Sequence, residues 1–86
     1  MTRIIIDVRE PEEYTSSHLD GAINIPPSKL MGELVELDNI PKDSEIVLYC
    51  KTGSRSNVAM NILKDKGFSN LVNGINQDRV KAKYFS

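Results

Sequence analysis

The hydrophobic residues of this chain lie in short, unbroken runs that polar segments separate. Two of these runs, residues 3–8 and 45–49, are largely apolar and show no alternation with polar residues. This pattern is typical of strands that are buried on both faces of a parallel sheet. Shorter apolar segments at residues 23–25 and 68–72 predict two further strands.

Between the strands, the spacing of apolar residues indicates helices. We expect a short helix near residues 11–16, because a proline suits the first helical turn and acidic residues suit the positive end of a helix. Ser28 is predicted to cap a second helix over residues 29–37. A third helix over residues 56–66 is expected to end at Gly67.

The last part of the chain gives weaker signals. Asn73 and Gly74 form a dipeptide typical of a turn, and residues 75–86 are predicted to be a weak helix or a tail. Strands that alternate with helices predict a single α/β domain over residues 1–86. We expect a small parallel β-sheet of four to five strands, flanked by helices on both faces.

The segment after the strand at residues 45–49 carries the strongest chemical signal. Cys50, the only cysteine, opens a loop that reaches Arg55 and leads into a helix. A strand, a tight turn and a helix together direct backbone N–H groups and the positive helix end towards one point. A thiol at that point is stabilised as the thiolate, with help from Lys51 and Arg55. We therefore predict that Cys50 is a nucleophile in an anion-binding loop.

The other loop residues suit such a site. Gly53 permits a positive φ and a close approach to a ligand, and Thr52 and Ser54 are short hydrogen-bonding residues suited to a turn. The forked donors of Arg55 match an oxyanion. A lone cysteine at the end of an apolar strand is, alternatively, a small buried hydrophobic residue without reactivity.

Several polar residues outside the loop have simpler interpretations. Asp7 ends a strand, as Cys50 does. It either braces the cysteine loop or pairs with Arg55, but we favour an ordinary structural ion pair. Arg9 either widens the positive field of the site or is a solvated charge. His18 is expected to have a structural role in a turn, and Glu12 and Glu13 are expected to be helix-start acids rather than a catalytic pair.

Composition excludes several classes of function. The 86 residues carry a formal net charge of -1, which argues against a nucleic-acid-binding surface. One cysteine and one histidine allow no internal disulfide and are too few for an ordinary zinc site, so we predict no metal and no cofactor. No segment is long and apolar enough to span a membrane. We expect a cytoplasmic protein, with the periplasm as the alternative if a signal peptide has been removed.

Three segments resemble the rhodanese-like domains, the sulfurtransferase family. They are residues 7–14 (DVREPEEY), 18–26 (HLDGAINIP) and 50–56 (CKTGSRS), in the order of the family. The resemblance implies that Cys50 carries sulfane sulfur as a persulfide. It also implies that the backbone of residues 51–55 and the Arg55 side chain surround the persulfide and the donor anion.

The resemblance further implies a donor such as thiosulfate and a thiol or cyanide as acceptor. A persulfide carrier that serves a sulfur-relay protein is the second possibility. Phosphatases and arsenate reductases of the same fold are a third, but four residues separate Cys50 from Arg55, one fewer than in those enzymes. One departure concerns the C-terminal part, where Asn73 and Gly74 stand in place of a paired glycine and the usual tryptophan is missing.

Overall fold

A computed structural model of the chain describes residues 3–85. Within these residues four strands form one sheet: Arg3–Asp7 (β1), Ile23–Asn24 (β2), Glu45–Tyr49 (β3) and Leu71–Ile75 (β4). Four α-helices connect or follow them: Pro11–Ser16 (α1), Pro27–Leu30 (α2), Ser54–Asp65 (α3) and Gln77–Tyr84 (α4). The order of elements confirms the α/β prediction.

All neighbouring strands are parallel, and their order across the sheet is β2-β1-β3-β4. The two apolar runs therefore form the central strands, as predicted for segments without polar alternation. Asp7 is paired with Tyr49 in the register of β1 and β3. Asp7 and Cys50 consequently lie at the same carboxyl edge, where ligand sites of parallel sheets are found.

Helices cover both faces of the sheet, as predicted. On one face, α2, α3 and a 3-10 turn at Val35–Leu37 pack against a core that includes Ile6, Leu48 and Leu63. On the other face, Val47 and Tyr49 pack with residues of α1 and α4. The side chains of β3 alternate between the two cores, which explains why this strand has no exposed face.

The prediction that Ser28 caps one helix over residues 29–37 is wrong. Pro26 is the N-cap, Pro27 occupies the first helical position, and α2 ends after one turn at Leu30. Met31 is 76% exposed, so the apolar spacing that suggested a continuous helix does not mark one buried face.

The strand predicted at residues 68–72 is present but lies further along the chain, and the predicted turn at Asn73 and Gly74 is wrong. The strand begins at Leu71, and both residues lie within β4. Asn73 is paired with Leu48 and Ile75 with Tyr49, so Gly74 is the extra residue of a β-bulge. A Cβ atom at Gly74 would lie 2.4 Å from Val80 Cγ2, so the glycine is needed for close packing rather than for a turn.

The remaining boundaries differ by small amounts. α3 begins at Ser54 rather than Ser56, so Arg55 lies in the first helical turn. Gly67, with a φ of +103°, follows the helix end as predicted. Of the two alternatives predicted for residues 75–86, a weak helix or a tail, the helix is present as α4. Ser86 lies outside the described residues.

The described residues contain neither a group of metal-ligating side chains nor a membrane-spanning helix. Between residues 3 and 85, no three or more His, Cys, Asp or Glu side chains are grouped so that they could hold a metal ion. No helix in that range has the length and hydrophobicity needed to cross a lipid bilayer.

Candidate active site

Cys50 lies directly after β3, at the point where the chain leaves the sheet. Its backbone N–H donates to the Ile75 carbonyl at 3.1 Å, which ties the start of the loop to the end of β4. The loop turns back at Gly53, whose φ of +96° is a conformation that glycine adopts at little cost. α3 then begins at Ser54, and its first turn lies beside the sulfur. The predicted strand, loop and helix are all present.

The Cys50 sulfur is directed at polar groups of its own loop. The Gly53 N–H donates to Sγ at 3.0 Å, and Ser56 Oγ lies 3.6 Å from Sγ. The residue is only 2% exposed, and its sulfur lies at the boundary between the apolar core and a surface cleft. The Gly53 amide and the Ser56 hydroxyl therefore lie beside the sulfur.

These contacts change the acidity of the thiol. Burial, the largest single effect, raises the pKa of Cys50, but hydrogen bonds from the Ser56 side chain and from the backbone of Ser56, Gly53 and Thr52 outweigh it. The pKa falls from its ordinary value to about 7. At neutral pH, close to half of the protein molecules then carry Cys50 as the thiolate, which is the nucleophilic form.

A cleft of about 600 Å³ opens above the sulfur, and charges of both signs line it. Arg9 and Lys51 contribute positive charge, while Glu13 and Asp78 contribute negative charge. The cleft lies between α1, the cysteine loop and the first turn of α4. A small anion or an extended side chain of a partner has room to reach Cys50 here.

Arg55 is held by a carboxylate. Its Nη1 and Nη2 atoms donate to the two carboxylate oxygens of Glu13 at 2.7 and 3.2 Å. The hydrogen bond from Arg55, followed by one from the Glu10 backbone, lowers the pKa of Glu13 to about 2. Glu13 in turn raises the pKa of Arg55. The role of Arg55 in binding a donor anion stays a prediction, and it requires the guanidinium to share or leave Glu13.

The other predicted loop residues occupy the rim. Lys51, Thr52 and Ser54 are exposed, and the Thr52 and Ser54 hydroxyls lie 3.3 Å apart. Lys51 lines the cleft, whereas Thr52 acts on the sulfur through its backbone. Gly53 is buried and supplies the shortest hydrogen bond to Sγ. The backbone of the loop therefore contacts the sulfur more closely than its side chains do.

Asp7 and Arg9 form a buried ion pair with each other. Arg9 Nε and Nη2 donate to the Asp7 carboxylate at 2.7 to 3.1 Å, and the Tyr49 hydroxyl donates to Asp7 Oδ2 at 2.9 Å. Asp7 therefore forms an ion pair, as the favoured interpretation expects, and its partner is Arg9 and not Arg55. Arg9 is not a solvated charge, because it is buried and also donates to the Ser17 carbonyl at 2.6 Å.

The sequence of this chain also matches a known protein family. The family model of the rhodanese-like domain matches residues 1–77 of this chain. This chain belongs to the rhodanese-like domain family. An E. coli rhodanese solved with anions is 32% identical and superposes with a TM-score of 0.79, and the alignment covers 91% of each chain.

The relatives of this rhodanese-like domain among curated proteins are longer. The probable adenylyltransferase/sulfurtransferase MoeZ of Mycobacterium tuberculosis is 47% identical over 68 residues, which are 79% of this chain and 17% of MoeZ. The putative sulfur carrier protein YrkF of Bacillus subtilis is 37% identical over 70 residues, 80% of this chain and 36% of YrkF. The chain thus spans about a sixth of MoeZ and about a third of YrkF.

Sequence reasoning missed three residues of this rhodanese-like site. The sequence predicts only a helix-start position for Ser56 and Glu13, and only a turn for Asn73. Glu13 had a detectable signal, because α1 follows β1 as α3 follows β3, and neighbouring parallel strands place both helix starts at one edge. His18 has the structural position that was expected, with its ring stacked on Tyr14 at 3.7 Å between centroids.

Proposed function

We propose that this rhodanese-like domain transfers sulfane sulfur through a persulfide on Cys50. The observation that carries the proposal is the Cys50 sulfur, which accepts the Gly53 N–H at 3.0 Å, and whose pKa is about 7. A thiolate that is already present at neutral pH needs no separate general base. The same donors can stabilise negative charge on a second sulfur atom bound to Cys50.

In the first step, the Cys50 thiolate attacks the outer sulfur of thiosulfate. A Cys50–sulfur bond forms, the sulfur–sulfur bond of thiosulfate breaks, and sulfite leaves with the electron pair of that bond. The two negative charges of thiosulfate leave on sulfite, and the single charge of the thiolate moves to the outer sulfur of the persulfide. Because the first product leaves before the acceptor binds, ping-pong kinetics are expected.

In the second step, an acceptor nucleophile attacks the outer sulfur of the persulfide. A thiolate acceptor becomes a persulfide, or cyanide becomes thiocyanate, and Cys50 is released as the thiolate. The cleft above Cys50, about 600 Å³ in volume, gives an acceptor access to this sulfur. We propose a reducing, cytoplasmic setting, where the thiol remains available for this exchange.

The short loop favours sulfur over phosphate as the transferred group. Four residues separate Cys50 from Arg55, and the amides of this small ring converge on one sulfur atom. A tetrahedral phosphate needs donors for three further oxygen atoms, and the side chain best suited to them, Arg55, is bound to Glu13. We therefore place phosphoester hydrolysis behind sulfur transfer.

A protein-to-protein sulfur carrier is the second candidate. The engagement of Arg55 by Glu13 favours it, because a small dianion must compete with a carboxylate for that guanidinium. A persulfide carried by a partner's cysteine needs no such competition. The similarity to a putative sulfur carrier protein from Bacillus subtilis is consistent with this candidate.

Intact mass after incubation with thiosulfate tests the proposed function. We expect a gain of one sulfur atom that cyanide removes, and no gain in Cys50→Ser. Repeated turnover with thiosulfate and cyanide identifies the enzyme, whereas one sulfur per protein without turnover identifies the carrier. A protein that retains transfer activity after Cys50→Ser would contradict both.

A further inference from the structure

Asn73 connects three parts of the active site through one side chain. Its Nδ2 atom donates to the Gly53 carbonyl at 3.0 Å. Its Oδ1 atom accepts the Ser56 hydroxyl at 2.6 Å and the Ile75 N–H at 3.0 Å. Asn73 is paired with Leu48, and the bulge at Gly74 follows it, so its side chain faces the same side of the sheet as α3.

We propose that Asn73 is a positioning residue for the chemistry of Cys50. Its side-chain amide holds the Gly53 turn and the Ser56 side chain against the end of β4, and in this way keeps the Gly53 N–H on the sulfur. The proposal rests on the proposed function only in taking Cys50 as the reacting group. A glycine at this place would have no side chain with which to make these contacts.

The position of the Ser56 side chain supports the proposal, because its single hydroxyl proton has three acceptors nearby and Asn73 is the nearest. Asn73 Oδ1 at 2.6 Å is nearer than the Gly53 carbonyl at 3.1 Å or Cys50 Sγ at 3.6 Å. Asn73 thereby fixes the side-chain conformation in which Ser56 Oγ lies beside the sulfur. Ser56 is fully buried, so its hydroxyl depends on protein partners for its hydrogen bonds.

The backbone at Ile75 supports the proposal independently. Ile75 has a φ of +75°, an uncommon conformation for a β-branched residue, and the Asn76 N–H closes a three-residue turn on the Gly74 carbonyl at 2.9 Å. This turn directs the Ile75 carbonyl at the Cys50 N–H, and the Ile75 side chain packs on Gly53. Asn73 Oδ1 accepts the Ile75 N–H and so holds a strained turn in place.

Alkylation of Cys50 by iodoacetamide across a range of pH tests the proposal without any sulfur donor. In the unaltered protein the rate should rise through a pKa of about 7. In Asn73→Ala we expect this pKa to be higher by about one pH unit, because the donors on the thiolate are loosened. At pH 7 the alkylation rate should then fall by about fivefold. A negative result in the thiosulfate experiment would leave this measurement valid, so the two proposals fail separately.

Asn24→Ala is the matched control. The Asn24 amide also donates to two backbone carbonyls at this edge, those of Asp7 and Arg9, both at 3.0 Å. Its loss should destabilise the fold but leave the pKa of Cys50 at about 7. An equal rise in this control, or an unchanged or lower pKa in a folded Asn73→Ala, would overturn the proposal.

A second variant keeps the test decisive if Asn73→Ala does not fold. Asn73→Leu retains about the same size and adds no charge, but it lacks the donor to Gly53 and the acceptor for Ser56 and Ile75. We expect the pKa of Cys50 to rise here as well, and an unchanged pKa would overturn the proposal. When either Asn73 substitution is combined with Ser56→Ala, the pKa of Cys50 should rise by less than the sum of the rises in the two single variants. The Asn73 and Ser56 side chains act through the same contacts, so their effects should not add.

Discussion

Two arginines lie at the carboxyl edge of the sheet, and each binds one carboxylate through two nitrogen atoms. For Arg9 and Asp7, the side chains are 10% and 0% exposed. For Arg55 and Glu13, both side chains are 32% exposed. The pairs share their chemistry but differ in their access to water.

This difference separates a closed ion pair from an exchangeable one. The Asp7–Arg9 pair is enclosed by Tyr49 and the Ser17 carbonyl, so neither charge can exchange its partner without leaving the other buried and alone. The Glu13–Arg55 pair is surrounded by water on one side, where ion pairs are weak and exchangeable. Of the two arginines, Arg55 has the more exposed and more exchangeable ion pair.

The largest expected effect comes from breaking the buried pair. Asp7→Ala should lower the free energy of unfolding by about 3–5 kcal/mol, because it leaves the Arg9 guanidinium buried without its carboxylate. Urea unfolding measures this loss. The matched variant Glu13→Ala should cost about 1 kcal/mol or less, since its ion pair is partly solvated. Equal losses in the two variants would show that exposure does not distinguish the pairs.

The sequence was sufficient to predict the two central strands, the cysteine loop and the sheet edge at which the loop lies. The apolar run at Glu45–Tyr49 and the lone cysteine after it are local signals, and local signals determined that part of the site. The arginine partners could not be predicted in the same way. Glu13 and Arg55 are 42 positions apart in sequence, and their contact depends on side-chain conformations.

Asn73 shows a different limit. The Asn-Gly dipeptide is a strong turn signal between antiparallel strands. In this sheet the same two residues lie within a parallel strand, because the Gly74 backbone packs against Val80 and Val47. Tertiary packing therefore overrode a local preference, and the asparagine became available to the cysteine loop.

An intermediate effect is expected from releasing Arg55. Glu13→Gln removes the charge that holds the guanidinium, so the KM for thiosulfate should fall by about fivefold if Arg55 binds the donor. Steady-state kinetics with cyanide as acceptor measure it. Glu12→Gln, an exposed neighbour with the same change in charge, should alter the KM much less. Arg55→Ala should raise the KM with little loss of stability.

The opposite result would also be informative about the comparison. A higher KM in Glu13→Gln would show that the carboxylate orients Arg55 for the donor and does not compete with it. The low pKa of Glu13, about 2, means that the pair remains ionised throughout a neutral assay. Because this pKa is lowered by folding, the stabilisation from Glu13 is present above its ordinary pKa and is lost as the pH falls towards 2.

The smallest expected effect concerns the acidity of Cys50, where neither arginine should dominate. Burial raises the pKa of Cys50, but hydrogen bonds from Ser56, Gly53 and Thr52 lower it by more, and the result is a pKa of about 7. Ser56→Ala should therefore move the rise in alkylation rate to higher pH. Arg55→Ala should move it by less than about half a pH unit, because the Glu13 carboxylate offsets the field of the guanidinium. A larger shift in Arg55→Ala than in Ser56→Ala would mean that charge, rather than the amide and hydroxyl donors, holds the thiolate, and Arg55 would then act on the sulfur even while it is bound to Glu13.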